Sequence, residues 1–223
     1  MKSAVVIFPG SNCDRDAYRA LHHITGYQPV YLWHQDTTLP DPLDLIVLPG
    51  GFSYGDYLRS GAIAARSPIM QAIAQAAARG VVILGICNGF QILTEAGLLP
   101  GALARNDSLS FRAKLQTLEV ANNNSPFTRD YTQGQSVQFH IAHGDGRYIT
   151  DAETLKQLEE EERIAFRYTG NNPNGSLNNI AGIFNKTRTI LGMMPHPERV
   201  IDPLLGPHCD GRALFTSLLG ALG

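Results

Sequence analysis

Four short apolar runs, each closed by a turn and parted from the next by a helix-prone stretch, lie within residues 3–86 of this 223-residue chain and leave it few folds to adopt. Residues 3–8 are rich in β-branched side chains and end in Pro9-Gly10, the pattern of a strand buried on both faces. Residues 14–25 read as a helix with Gly26 as its stop. Residues 28–33 and 43–48 are the next two strands, the second closed by Pro49-Gly50-Gly51. Ser67 and Pro68 supply an N-cap and a first-turn proline for an Ala-rich helix reaching about Arg79. Residues 81–86 form a fourth strand, and a further helix covers 89–96. Strands alternating with helices imply an α/β, doubly wound, mostly parallel sheet with flanking helices and ligands at the strands' carboxyl ends.

From Arg112 the grammar changes. Residues 112–120, 136–142, 164–168, 180–184 and 189–194 are short strand candidates between Asn, Gly and Pro turns, expected to extend the sheet in antiparallel fashion. Residues 151–163 are charged and helix-prone, with a solvated acidic face, and 212–222 make a closing helix. Neither a repeat nor a low-complexity linker interrupts the chain, so one domain over residues 1–223 is expected.

The composition narrows the functional classes. A formal net charge of −2 gives no footprint for nucleic acid or an anionic membrane. The first apolar run breaks at Pro9-Gly10, too early for a signal peptide, and no segment reaches membrane-spanning length, so cytoplasm is expected. Three cysteines, Cys13, Cys87 and Cys209, make no disulfide framework and no four-ligand zinc cluster. Each is therefore a small buried hydrophobe or a nucleophile.

Cys87 stands out. The strand at 81–86 runs straight into Gly85-Ile-Cys87-Asn-Gly89 and then a helix, the nucleophile-elbow pattern with cysteine in place of serine. Gly85 and Gly89 are needed where a Cβ would strike neighbouring backbone. The following helix's N-terminus favours a thiolate and points free N–H groups toward it. A buried structural cysteine is the better reading for an arbitrary Cys, but the flanking glycines and the strand–turn–helix context reverse it. Cys13 lacks an elbow and reads as structural or adjacent to the site; Cys209 reads as structural.

A cysteine nucleophile needs a base. Among seven histidines, His196 is distinctive, because Pro195-His196-Pro197-Glu198 follows an apolar run and so sits at a strand's carboxyl end. In an extended backbone enforced by the prolines, His196 and Glu198 face the same side, and the carboxylate orients the imidazole. A lone histidine in a Pro-rich turn would be structural; one beside Glu198, in a chain with a cysteine elbow, reads as catalytic. The backbone N–H groups of Gly51 and Asn88 are placed to bind an oxyanion.

These three elements, in this order, resemble the class I glutamine amidotransferases, whose Pro-Gly-Gly loop, Gly-x-Cys-x-Gly-x-Gln elbow and late His-Pro-Glu they match. The resemblance implies Cys87 as nucleophile, His196 as base, Glu198 as its orienting carboxylate, and Gly51 and Asn88 as oxyanion donors. It gives Gly50, Phe52 and Gln91 places at the substrate. Longer strings at 8–15, 50–62, 85–91, 142–148, 172–176 and 195–199 are similar to the branch of that family that serves purine biosynthesis. By that likeness the chain takes no metal or cofactor itself and hands ammonia to a large ATP-dependent synthetase, which uses ATP and Mg2+, with a small accessory subunit. The segments 52–57 and 142–148 are the candidate docking loops. Two rivals remain at this point. A cysteine hydrolase of the chaperone or protease type would carry histidine after the elbow cysteine, where this chain has Asn88. A flavodoxin-like binding module would need no triad.

Overall fold

The computed structural model describes residues 1–204 and 206–223. Five strands form its parallel half: β1 (Ser3–Ile7), β2 (Val30–Trp33), β3 (Leu45–Leu48), β4 (Val82–Ile86) and, from the far end of the sequence, a strand at Ile190–Met193. Between β4 and that last strand lie β5 (Ala102–Ala104), β6 (Arg112–Val120), β7 (Ser136–His143), β8 (Arg147–Ile149), β9 (Ile164–Tyr168) and β10 (Ile180–Phe184), so Ile190–Met193 is β11. The main sheet has nine strands in the order β2-β1-β3-β4-β11-β10-β9-β6-β7. Pairing is parallel from β2 to β11 and antiparallel from β11 to β7. β5 and β8 pair separately as a two-stranded antiparallel ribbon.

Burial follows the sequence pattern. β3, β4, β10 and β11, the unbroken apolar runs, are buried at every position, as strands covered on both faces must be. β7, at the sheet's antiparallel edge, buries every second residue instead.

Among the described residues, five α-helices flank the sheet: α1 (Asp14–Thr25), α2 (Pro68–Ala78), α3 (Asn88–Glu95), α4 (Ala152–Glu160) and α5 (Arg212–Leu222). The chain leaves β1 in one direction along the sheet to reach β2, and leaves β3 in the opposite direction to reach β4. Right-handed crossovers then put α1 and α2 on opposite faces. Between β1 and β3 the winding reverses, opening a crevice at their carboxyl ends where ligands bind in such sheets. The loops after those strands meet there, in an isolated bridge between Ser11 and Gly51.

Some local chemistry differs from the sequence expectation. Ser67 stands at the N-cap of α2 but makes no side-chain cap bond; its hydroxyl lies 3.1 Å from the Tyr54 hydroxyl instead. The charged helix expected over 151–163 is shorter. It runs from Ala152 to Glu160, started by Asp151, whose carboxylate accepts from the Thr154 N–H at 2.9 Å.

Candidate active site

β4 ends at Ile86 and α3 begins at Asn88, so the whole change of direction falls on Cys87, which takes φ 51° and ψ −106°. That conformation costs a non-glycine residue about 1–3 kcal/mol and persists only where its surroundings over-determine it. Here they do. The Cys87 N–H donates to the Met193 carbonyl at 2.7 Å, and the Cys87 carbonyl accepts from the N–H groups of Phe90 and Gln91 at 3.0 and 3.2 Å. The start of α3 can press onto β3 only because residue 89 is glycine. A Cβ there would lie 2.7 Å from the Leu48 carbonyl carbon and closer still to its oxygen. The thiol points toward the Ala142 carbonyl at 3.7 Å, a weak hydrogen bond.

β11 is the parallel neighbour of β4, with Met193 opposite Ile86, so the chain leaving β11 emerges beside the elbow. The His196 N–H donates to the His140 carbonyl at 2.8 Å, which fixes its backbone to β7. Its Nδ1 lies 2.6 Å from Glu198 Oε1, and both side chains are buried. The backbone between them departs from the expected extension: Pro197–Arg199 is a 3-10 turn, and extension stops at His196. His196 Nε2 and Glu198 Oε2 have no hydrogen-bond partner among the described residues. Burial disfavours the imidazolium, but the Glu198 carboxylate and then Cys87 outweigh it and raise His196 to about 10.

Gly50 lies between the two side chains. A Cβ on it would come 2.7 Å from His196 Cε1 and 3.3 Å from Cys87 Cβ, so no larger residue fits. Gly51 follows with φ 140°, and neither its N–H nor that of Asn88 donates to any group among the described residues. At the first position of α3, the Asn88 N–H is one of the donors a helix start leaves free. Phe52 is half-exposed, its ring tilted against Phe111 at 6.3 Å.

Cys87, His196, Gly51 and Phe52 open onto one cleft of about 120 Å³, with Phe111 and Ala142 on its other walls. That volume is well below the roughly 300 Å³ at which pockets for drug-sized ligands begin, and it suits a single amide side chain. Asn12, Cys13 and Arg199 also line it. Sequence reasoning assigned Asn12 and Arg199 no role, and their presence inside the matched strings at 8–15 and 195–199 was the one available signal. Arg199 donates to the Cys13 sulfur at 3.0 Å and to Asp16 at 3.2 Å. Burial, with the Glu198 charge behind it, pushes the Cys13 thiol up to about 12. The cleft's second sulfur is thus held protonated. Donor atoms of Cys13, His196 and Glu198 lie within 4.8 Å of one another. A metal ion there would face the Arg199 guanidinium and compete with the His196–Glu198 bond, so the donor set is a poor one for a cation.

Gln91 does not line the cleft. It is buried, its Oε1 accepting from Asn88 Nδ2 at 2.8 Å and its Nε2 donating to the Asp145 carbonyl at 2.7 Å.

Comparison with known proteins agrees over the whole chain. The family described as the CobB/CobQ-like glutamine amidotransferase domain matches residues 1–216. The chain is 59% identical over 221 residues to the phosphoribosylformylglycinamidine synthase subunit PurQ of Brucella suis, covering 99% of each. It is 58% identical over 219 residues to the protein of the same name from Zymomonas mobilis, covering 98% of each. Among solved structures it matches a chain of PurLQS from Thermotoga maritima with a TM-score of 0.90 and 47% identity, covering 100% of this chain and 99% of that one. A glutamine amidotransferase from the same organism shares the fold at TM-score 0.65 and 18% identity, covering 100% and 97% of the two chains.

Proposed function

The chain belongs to the CobB/CobQ-like glutamine amidotransferase family, and from that premise we propose that Cys87, His196 and Glu198 carry its chemistry. It is the glutaminase subunit of a phosphoribosylformylglycinamidine synthase, hydrolysing L-glutamine to glutamate and ammonia. The ammonia converts formylglycinamide ribonucleotide to formylglycinamidine ribonucleotide in purine biosynthesis, on the synthetase subunit with which this chain works.

The observation that carries the residue assignment is the buried His196–Glu198 pair, 2.6 Å apart, beside a cysteine held at φ 51° on a strand-to-helix elbow. The Cys87 thiolate attacks the amide carbon of glutamine, and the carbonyl oxygen takes up negative charge between the Gly51 and Asn88 N–H groups. His196, favoured as imidazolium, gives its Nε2 proton to the departing nitrogen, and ammonia leaves. A glutamyl thioester remains on Cys87. His196 then accepts a proton from the water that attacks the thioester; glutamate departs and the thiolate is restored. Glu198 on Nδ1 keeps Nε2 aimed at these proton transfers.

The synthetase consumes ATP and uses Mg2+ with it, and a small accessory subunit joins the assembly. Phe52, Phe111, Tyr57, Leu58 and Leu109 are exposed large hydrophobics, the first two of them on the cleft's walls, which supports docking of the synthetase over the site. No helix among the described residues is long and apolar enough to cross a membrane, in keeping with a cytoplasmic enzyme.

Glutamate release is measured for wild type and Cys87→Ala, each with and without the synthetase, its ribonucleotide and ATP. The wild type is expected to gain activity with the partner, and Cys87→Ala to have none. A Cys87→Ala variant that matches the wild type would overturn the assignment of the nucleophile.

A further inference from the structure

A buried chain of hydrogen bonds joins three segments around the elbow. The Ser53 N–H donates to Asn88 Oδ1 at 3.1 Å, Asn88 Nδ2 donates to Gln91 Oε1 at 2.8 Å, and Gln91 Nε2 donates to the Asp145 carbonyl at 2.7 Å. Asn88 is 1% exposed and Gln91 5%, so water offers no substitute partners. The direction of the chain is dictated by its ends. A backbone N–H can only donate and a backbone carbonyl can only accept, so turning either amide over sets donor against donor or acceptor against acceptor.

The placement of this relay is informative. Ser53 lies two residues beyond Gly51, in a loop with Tyr54, Asp56 and Leu58 all at positive φ. Other ties of that loop run away from α3: Phe52 and Tyr54 donate to the Gly10 and Pro9 carbonyls, and the Tyr54 hydroxyl reaches His34. The Arg59–Glu95 ion pair does reach α3, but at its far end and exposed. Among the described residues, Asn88 Oδ1 is the buried hydrogen-bond tie between the Gly51 loop and the elbow. One residue thus presents a backbone N–H toward the reacting oxygen while its side chain holds the loop that presents the other.

The geometry points to the Asn88 side chain as a positioning group that sets the spacing between the Gly51 and Asn88 N–H donors. It also ties them, through Gln91, to the loop at Asp145. The inference rests on those two N–H groups serving as the oxyanion donors, and it goes beyond that reading by giving the Asn88 amide a task its backbone does not perform.

Two variants test it in the full chain assembled with its synthetase. Asn88→Asp is nearly isosteric and still accepts from Ser53, but it sets a carboxylate oxygen against Gln91 Oε1. Asn88→Leu keeps the branching of the side chain, with bulkier methyl ends, and removes both links. Three quantities are followed: kcat, KM for glutamine, and the rate at which iodoacetamide alkylates Cys87. Alkylation displaces iodide at a saturated carbon and builds no oxyanion, so it reports the nucleophile without the donors. Outright loss of one oxyanion donor costs roughly 100- to 1000-fold in kcat, so a displaced donor is expected to cost about 10- to 100-fold, with KM and the alkylation rate unchanged. Wild-type kcat in both variants would overturn the inference. So would a parallel fall in kcat and alkylation, which marks a collapsed elbow rather than misplaced donors. Full turnover by wild type after Cys87 alkylation would instead sink the nucleophile assignment itself, a result distinct from either.

Discussion

Replacing Gly89 by alanine puts the packing of the elbow under direct test. The added Cβ would lie 2.7 Å from the Leu48 carbonyl carbon. Favourable carbon–carbon contact begins at about 3.5 Å and the Leu48 oxygen is closer still, so the start of α3 must retreat from β3 by at least roughly 0.8 Å. Neither partner yields easily, since Leu48 is the last residue of a fully buried strand. Helix propensity alone favours alanine over glycine by about 1 kcal/mol, so any loss of stability must come from the clash. Overpacking of this kind costs about 1–3 kcal/mol. The same retreat carries the Asn88 N–H and Cys87 away from the Gly51 loop, and a misplacement near 1 Å in a catalytic group costs about 100-fold in rate. The assay pairs glutamate release at saturating glutamine with the urea midpoint. Gly26→Ala is the control, because its φ of 74° strains any side chain while no atom lies within 4 Å; it is expected to lose about 1–2 kcal/mol of stability and no turnover. A Gly89→Ala protein that turns over glutamine at the wild-type rate would refute the argument, as would a Gly26→Ala protein equally impaired in kcat.

Glu198→Gln should flatten the alkaline dependence of stability. His196 is raised from an ordinary 6.5 to about 10, so its contribution is fully present below pH 6.5 and is lost as pH climbs through 10. Removing the carboxylate that opposes the burial penalty should shrink the fall in urea midpoint between those two pH values; an unchanged fall would place the linkage elsewhere. Cys13 shares the cleft with Cys87 but is held protonated up to about pH 12. Iodoacetamide at pH 8 should therefore leave the Cys13 peptide unmodified while it labels Cys87, and Cys13→Ser should keep turnover. Comparable labelling of both peptides by mass spectrometry would contradict that assignment.

Local features were legible in the amino-acid sequence where one short stretch holds the whole signal. The bounds of α1, α5, β6, β9 and β10 coincide with those read from apolar runs and turn residues. The elbow is one such feature, because a tight turn needs small residues within two positions of its tip. The β5–β8 ribbon escaped notice because each strand is three residues long and Ala102–Ala104 and Arg147–Ile149 carry no periodicity. Gln91 read as a substrate contact, whereas its amide is engaged on both ends inside the protein. Nothing in the linear order announces a bond from Ser53 to Asn88 or from Gln91 to Asp145, because those partners are brought together by topology.

Topology also explains why the site needs the whole chain. The oxyanion loop follows β3, the nucleophile follows β4 and the base follows β11, and these are three consecutive neighbours in the sheet. All three run parallel, with Leu48 opposite Gly85 and Gly85 opposite Gly192, so their carboxyl ends finish level. Neighbouring strands lie about 4.8 Å apart, which sets Gly51, Cys87 and His196 side by side before any side chain is chosen. β11 reaches that position only after the antiparallel strands β6, β7, β9 and β10 have been laid down beyond it. The antiparallel half therefore does more than enlarge the core. By pairing with β11 it holds the base beside the cysteine, and β7 adds the His140 carbonyl that anchors His196. Disturbing β10 should consequently weaken catalysis on two counts, through the placement of His196 and through the Met193 carbonyl that accepts from the Cys87 N–H.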